Sequence, residues 1–324
     1  MINQVKHLPV VLHIGYHKTA TTYLQHLVFP EHKQLLYPGR PFRTSDISNF
    51  FLLNQFTHPL NFDADLLREK FYNVLTDWMN VSGETVGDKK ALLISHESLH
   101  SGPEWFGADV CMMAHRLKAV FPEAKIVIGI RNQRDYIESN YKQYVILGGK
   151  LSYRKFLSDS YAFNYGLLPK LNYEKLISYY YNIFGKENVH VYLLEEFKQD
   201  LTAGLNSIMQ FMGVDPRDSF KTDKVNAGMS KAANAFIRRI NCILASDFNE
   251  QYHSWMNHRI SMKEKFRWKV VRILKKAESA NLLKLNKKLT DSKTNQRFNN
   301  MFRDSNKKLS LLLNKDLSKL GYYH

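Results

Sequence analysis

Residues Ile14-Gly15-Tyr16-His17-Lys18-Thr19-Ala20-Thr21-Thr22-Tyr23-Leu24-Gln25 place one glycine, one lysine and a run of hydroxyls within a dozen positions. Those groups suit an anion: glycine lets backbone N–H groups come close, lysine supplies charge, and hydroxyls donate. The pattern of the phosphate-binding loop is G-x-x-x-x-G-K-[ST]. Laid on it, Gly15 takes the first glycine and Thr22 the final hydroxyl, while Ala20 stands at the second glycine and Thr21 at the lysine. The one lysine of the loop, Lys18, lies three positions earlier. The loop is built for a phosphate-like group, but without the usual lysine contact to a nucleoside triphosphate.

A second segment offers anion chemistry of its own. Lys125–Ile130 is an apolar run, and Arg131 follows it directly. A planar guanidinium suits a phosphate dianion. The helix expected over 134–147 carries Ser139, eight positions after Arg131, where a hydroxyl faces the same crevice. A third apolar run, Ala91-Leu92-Leu93-Ile94, leads into Ser95-His96-Glu97. Groups just beyond a strand collect at the active site of open α/β folds. His96 and Glu97 are therefore candidate bases, with His58 as a further one.

The stretch Tyr16-His17-Lys18-Thr19-Ala20-Thr21-Thr22 resembles the phosphosulfate-binding loop of sulfotransferases, commonly written Tyr-Pro-Lys-Ser-Gly-Thr-Thr. His17 stands for the proline and Ala20 for the glycine, and the His-Lys-Thr form looks more like bacterial and carbohydrate sulfotransferases. Glycine tolerates positive φ where alanine is penalised, so an ordinary helical φ at Ala20 would accommodate the exchange. The resemblance implies that Gly15, Tyr16, His17, Lys18, Thr19, Ala20, Thr21 and Thr22 cradle the donor, 3′-phosphoadenosine 5′-phosphosulfate (PAPS). It further implies that Lys18 stabilises the leaving group and that Arg131 and Ser139 hold the 3′-phosphate. The stretch Asp223–Ser230, with Lys224 and Asn226, would approach that same phosphate. In cytosolic sulfotransferases a histidine after the equivalent strand is the base, while bacterial relatives carry a glutamate. Both His96 and Glu97 stay open, with Glu97 favoured. The family requires no metal, which agrees with strand ends that offer Ser-His-Glu and Arg rather than a magnesium-binding aspartate. The product would be adenosine 3′,5′-bisphosphate. The alternative is a P-loop phosphotransferase acting on a nucleotide or small metabolite. Against it stand the displaced lysine and the Arg131–Ser139 pair.

The elements that must position these residues alternate. Val10–Ile14 reads as a buried strand, with Leu24, Leu27 and Val28 at helical spacing after the loop. A short strand is expected at Leu35–Tyr37, a helix capped by Asp63, then strands at 91–94, 125–130 and 189–194 with helices between. Helices are also expected over 108–121, 152–159, 172–184 and 201–212. Glu195 and Glu196 are read as closing the last strand. This alternation predicts an α/β fold: a P-loop, nucleotide-kinase-like parallel sheet flanked by helices. From about residue 231 to 324 the chain reads as a helical extension within one domain spanning 1–324, including basic amphipathic and terminal helices over 260–276 and 298–321.

The 324 residues carry a net charge of +16. Between Met262 and His324, Lys and Arg outnumber Asp and Glu by 17 to 5, so most of the excess lies there. Such asymmetry points to an anionic partner: the donor, an acidic glycan or an anionic membrane surface. Nucleic acid is not expected, because no zinc-finger, RRM or KH signature accompanies the charge. Cys111 and Cys242 lack metal-ligand spacing and give no disulfide framework. No apolar run approaches the roughly 20 residues of a membrane span. Animal Golgi sulfotransferases begin with an anchor, so a cytoplasmic, bacterial enzyme is expected, with peripheral contact at the inner membrane face. The acceptor implied is a hydroxyl of a carbohydrate or glycolipid.

Overall fold

The structure, a computed structural model, describes residues 2–39, 50–51, 54–55, 57–100, 110–158, 168–221, 230–243, 262–279 and 289–324. Five strands form one sheet: β1 (Val10–His13), β2 (Leu35–Leu36), β3 (Ala91–Ser95), β4 (Lys125–Ile130) and β5 (Val189–Leu193). Their order is β2-β3-β1-β4-β5 and every pairing is parallel. Register sets Val10 beside Leu92 and Val11 beside Lys125, so the carboxyl ends of β1, β3 and β4 open on the same edge.

The strands are apolar throughout because both faces are covered, as parallel sheets require. Alternate side chains serve alternate faces. Leu12, Ile14, Leu92, Ile94, Ile126 and Ile128 pack with helices α1 (Ala64–Ser82), α2 (Val110–Val120), α3 (Gln133–Ile146) and α4 (Tyr173–Phe184). Val11, Leu93 and Val127 pack with Leu24 and Val28 and with Leu205, Ile208 and Met209 of α5 (Leu201–Met212). Asp63 caps α1 by accepting from Leu66 N–H, and Asn132 caps α3 by accepting from Asp135 N–H.

Three further helices follow: α6 (Lys231–Asn241), α7 (Met262–Ser279) and α8 (Ser292–Leu313). Phe298, Phe302 and Leu309 of α8 belong to the same buried cluster as the sheet. Buried polar pairs fix α8 on α3. Gln133 Nε2 donates to Asn306 Oδ1 at 2.6 Å, and Asn306 Nδ2 donates back to Gln133 Oε1 at 3.2 Å. One turn along α3, Glu138 accepts from Leu289 N–H, Thr290 N–H and Thr290 Oγ at 3.1, 2.8 and 2.7 Å. The C-terminal part therefore braces the helix that carries Ser139.

Some boundaries differ from the sequence reading. Glu195 and Glu196 do not close β5; they open the short helix Leu194–Gln199. Glu195 is turned to α3, where it accepts from Asn132 N–H and Nδ2–H at 3.2 and 2.9 Å. The terminal helix starts at Ser292 and breaks at Asn314, whose left-handed φ of 52° ends it before a 3₁₀ turn. Cys111 and Cys242 are exposed and unbridged. No helix among the described residues is long and apolar enough to cross a membrane.

Histidines desolvated by burial, His190 at about 4 among them, make the fold acid-sensitive. Burial lowers His13 and His96 to about 4 and His100 to about 3. The unfolded chain then binds protons below about pH 6.5 that the folded chain refuses. The stability these neutral rings contribute is complete above that pH and is lost as pH falls toward 4, by up to about 1.4 kcal/mol per pH unit for each ring. Urea midpoints measured at pH 7, 6 and 5 should fall in that order; a flat series would contradict the assignment.

Candidate active site

The loop after β1 is shaped by close backbone approach. Ile14 N–H donates to Val127 C=O and Tyr16 N–H to Gly129 C=O, at 3.0 and 3.1 Å. A Cβ on Gly15 would come within 2.6 Å of Gly129 N, so the glycine is required by the neighbouring strand. Beyond it the chain turns through two left-handed residues, Lys18 at φ 64° and Ala20 at φ 69°. Ala20 therefore keeps the conformation of the glycine it replaces instead of a helical one, at a cost of roughly 1–2 kcal/mol. Thr19 between them is fully buried; its hydroxyl donates to Tyr16 C=O, and its own C=O accepts from Tyr192 OH at 3.0 Å. The helical ladder starts with Leu24 N–H donating to Ala20 C=O at 3.0 Å, so the N–H groups of Thr21, Thr22 and Tyr23 lie ahead of it. The left-handed turn and these leading N–H groups have the geometry that suits an anion.

Lys18 is half-buried, and its Nζ donates to Gln143 Oε1 on α3 at 3.0 Å. Gln143 lies one helical turn beyond Ser139, so the ammonium is directed to the same helix. Arg131 leaves the end of β4 and reaches the loop: Nη1 donates to Lys18 C=O at 3.5 Å, and Nη2 lies 3.7 Å from Asp135 Oδ2. Its Nε is buried without a hydrogen-bond partner. A buried donor without an acceptor is costly and suits a guanidinium made to receive an anion. Ser139 sits two turns into α3, half-buried. Tyr16 contributes backbone to the loop while its ring packs against Tyr136, Tyr173 and His100.

At the end of β3 the two candidate bases differ. His96 caps the short 3₁₀ turn Glu97–Leu99: its Nδ1 accepts from Ser98 N–H at 3.0 Å, which leaves the proton on Nε2. Burial, opposed by Glu97 and reinforced by His17, keeps this ring neutral at pH 7. Glu97 is buried, and its Oε1 faces His17 Nδ1 at 3.6 Å while Oε2 accepts from Gln25 Nε2 at 3.1 Å. Burial pushes this carboxyl up, but His17, a backbone N–H, His96 and Gln25 together hold it below its usual range. It is an ionised carboxylate pressed against the anion loop. His58 is an exposed cap accepting from Leu60 N–H at 3.3 Å.

The structure thus joins His17, Lys18, Glu97, His96 and Arg131 around one loop at the carboxyl edge of the sheet. Asn226 and Lys224 lie outside the described residues. Gln25, Gln143, His13 and Tyr192 were not singled out from the sequence. Among the described residues no group of three or more His, Cys, Asp or Glu could hold a metal ion.

The sulfotransferase domain family matches residues 8–270. Among solved structures, a sulfotransferase from Alicyclobacillus acidocaldarius is 19% identical with a TM-score of 0.55, over 97% of this chain and 98% of that one. Mouse sulfotransferase SULT7A1, complexed with PAP, is 14% identical with a TM-score of 0.41, over 96% and 90% of the two chains. No curated protein matches the chain significantly. The choice between sulfuryl and phosphoryl transfer falls to the former: the chain belongs to the sulfotransferase family and is a PAPS-dependent enzyme.

Proposed function

We propose that the enzyme sulfates a hydroxyl of a carbohydrate, on a glycan or glycolipid, with Glu97 as base and Lys18 at the leaving group. The observation that carries the reading is the buried Glu97 carboxylate, whose Oε1 lies 3.6 Å from His17 Nδ1 of the Lys18 loop. When bound, PAPS supplies an activated sulfuryl group on a phosphate leaving group. Lys18 neutralises the negative charge that grows on that phosphate oxygen, and the leading N–H groups of Thr21 and Thr22 hold the 5′-phosphate. Glu97 takes the proton of the acceptor hydroxyl as its oxygen attacks sulfur. His96, with Nδ1 committed to its cap, orients the turn that carries Glu97. Arg131 and Ser139 hold the 3′-phosphate, away from the transferred group, with Asn226 adding to them.

An arginine in that role contributes binding rather than rate. Arg131→Ala should weaken adenosine 3′,5′-bisphosphate by roughly tenfold to a hundredfold, from the loss of charge-assisted contacts of about 1.5–3 kcal/mol. The bound chemistry should change little. Calorimetry on the variant and single-turnover rates at saturating donor check this; wild-type affinity would remove Arg131 from the donor site.

The C-terminal part belongs with the rest as one unit in this reading, and it supplies the contact with an anionic acceptor surface. On α7, Lys269, Arg272 and Lys276 are exposed, together with Phe266, Trp268 and Ile273. Cations flanked by apolar side chains support a peripheral hold on an anionic membrane at its cytoplasmic face. Sulfate transfer from labelled PAPS to a panel of phenols, sterols, polysaccharides and glycolipids tests the acceptor. Transfer to the last two classes is expected; transfer confined to phenols or sterols would refute the carbohydrate reading. Sedimentation with vesicles of anionic and of neutral lipid tests the surface, and equal binding to both would refute it.

A further inference from the structure

We propose that Gln25 is a positioning residue that aims the Glu97 carboxylate and ties it, through a buried chain of donors, to the donor loop. The inference rests on Glu97 being the base.

Gln25 lies in a π-helical turn, Leu24–Val28, directly after the anion loop. Such turns are rare and change which face a side chain presents. The Gln25 amide is buried within this turn. Its Nε2 lies 3.1 Å from Glu97 Oε2 and 3.1 Å from Ser95 Oγ. The same nitrogen lies 3.3 Å from Ser95 C=O, so of its two hydrogens one serves the carboxylate and the other is shared between the two oxygens of Ser95.

The next links have a fixed direction. Ser95 Oγ lies 2.7 Å from His13 Nδ1, and His13 Nε2 lies 3.1 Å from Tyr192 OH. Tyr192 donates its one hydrogen to Thr19 C=O at 3.0 Å, so its oxygen must accept from His13 Nε2–H. His13 Nδ1 then accepts from Ser95, and Ser95 accepts from Gln25. Burial keeps His13 neutral, as this arrangement requires. The chain ends on the carbonyl between the two left-handed residues of the loop. Tyr192 is itself pinned: it stacks on Phe197 at 5.1 Å, and a Cβ on Gly129 would fall 2.2 Å from its ring.

The result is a carboxylate held at two different oxygens. Gln25 occupies Oε2, so Oε1, beside the half-buried His17, is the oxygen presented for the acceptor proton. The titratable groups facing Glu97 are His17 from the loop, His96 beside it, His13 from β1 and Tyr192 from β5. The His100 ring hydrogen bonds to its backbone C=O at 2.7 Å. Without the Gln25 donor, burial weighs more heavily on the carboxylate, and its proton affinity rises.

Gln25→Met keeps length and volume but removes both hydrogens. It should lower kcat by roughly tenfold to a hundredfold, the cost of a base out of position. The acid limb of the kcat–pH profile should move to higher pH, while the Kd for adenosine 3′,5′-bisphosphate stays within about twofold of wild type. An unmoved acid limb with wild-type kcat overturns the proposal. So does a loss of kcat with an unmoved limb and much weaker bisphosphate binding, which would make Gln25 a support of the loop alone. If Gln25→Met does not fold, Gln25→Asn, which draws the amide back from the carboxylate, is judged by the same two readouts. Glu97→Gln separates the two readings. An inactive Glu97→Gln beside a wild-type Gln25→Met sinks this proposal only, whereas an active Glu97→Gln sinks the base itself.

Discussion

Lys18→Ala is expected to lower kcat by about two to three orders of magnitude, the usual cost of removing one preorganised charge from a developing oxyanion. The fold should survive. Lys18 already sits at φ 64°, and alanine meets the same steric penalty there as lysine, so the exchange adds no new backbone strain. The side chain is half-buried, and its hydrogen bond to Gln143 is worth about 1 kcal/mol. Rapid-quench measurement of sulfate transfer at saturating donor isolates the chemical step. A variant that transfers at near wild-type rate would remove Lys18 from the mechanism, and one that fails to bind the bisphosphate would make it a binding residue.

Glu97→Gln should cost about 10²–10⁴ in kcat, the range for a positioned general base. The exchange is nearly isosteric and keeps an oxygen to accept from Gln25, so donor affinity and melting temperature should change little. His96→Gln provides the contrast. A glutamine can still accept a hydrogen bond near Ser98 N–H, so the cap is partly kept, and kcat should fall by less than about tenfold if the ring only shapes the turn. The reverse order, with His96→Gln inactive and Glu97→Gln active, would transfer the role of base to the histidine.

The parts of this site that could be read in the sequence were those whose chemistry follows from position along the chain. The apolar runs before Gly15, Ser95 and Arg131 announced three buried parallel strands, and charged or hydroxyl residues at their carboxyl ends mark the active edge. The displaced Lys18 was legible because a loop pattern fixes spacing. What could not be read was anything that depends on which side chain meets which across the sheet. His13 lies in the middle of an apolar run and has no local signal; its role appears only when Ser95 and Tyr192 from two other strands close on it. Gln25 was hidden because the helix after the loop opens into a π turn, which shifts the face that periodicity assigns. Ala20 shows the opposite limit. Its identity argued for a helical φ, and the tertiary setting imposed a left-handed one, since the loop must pass over Gly129 and anchor Thr19. Glu195 was assigned to the end of β5 on composition, yet its carboxylate is spent on the cap of α3.

Donor binding tests the central claim most directly. Adenosine 3′,5′-bisphosphate without added metal should bind the wild-type protein in calorimetry and raise its unfolding free energy by about 2.7 kcal/mol at a hundredfold excess over Kd. Adenosine triphosphate with magnesium should do neither, since the loop has no lysine at Thr21. Binding of the triphosphate with magnesium and none of the bisphosphate would contradict the account.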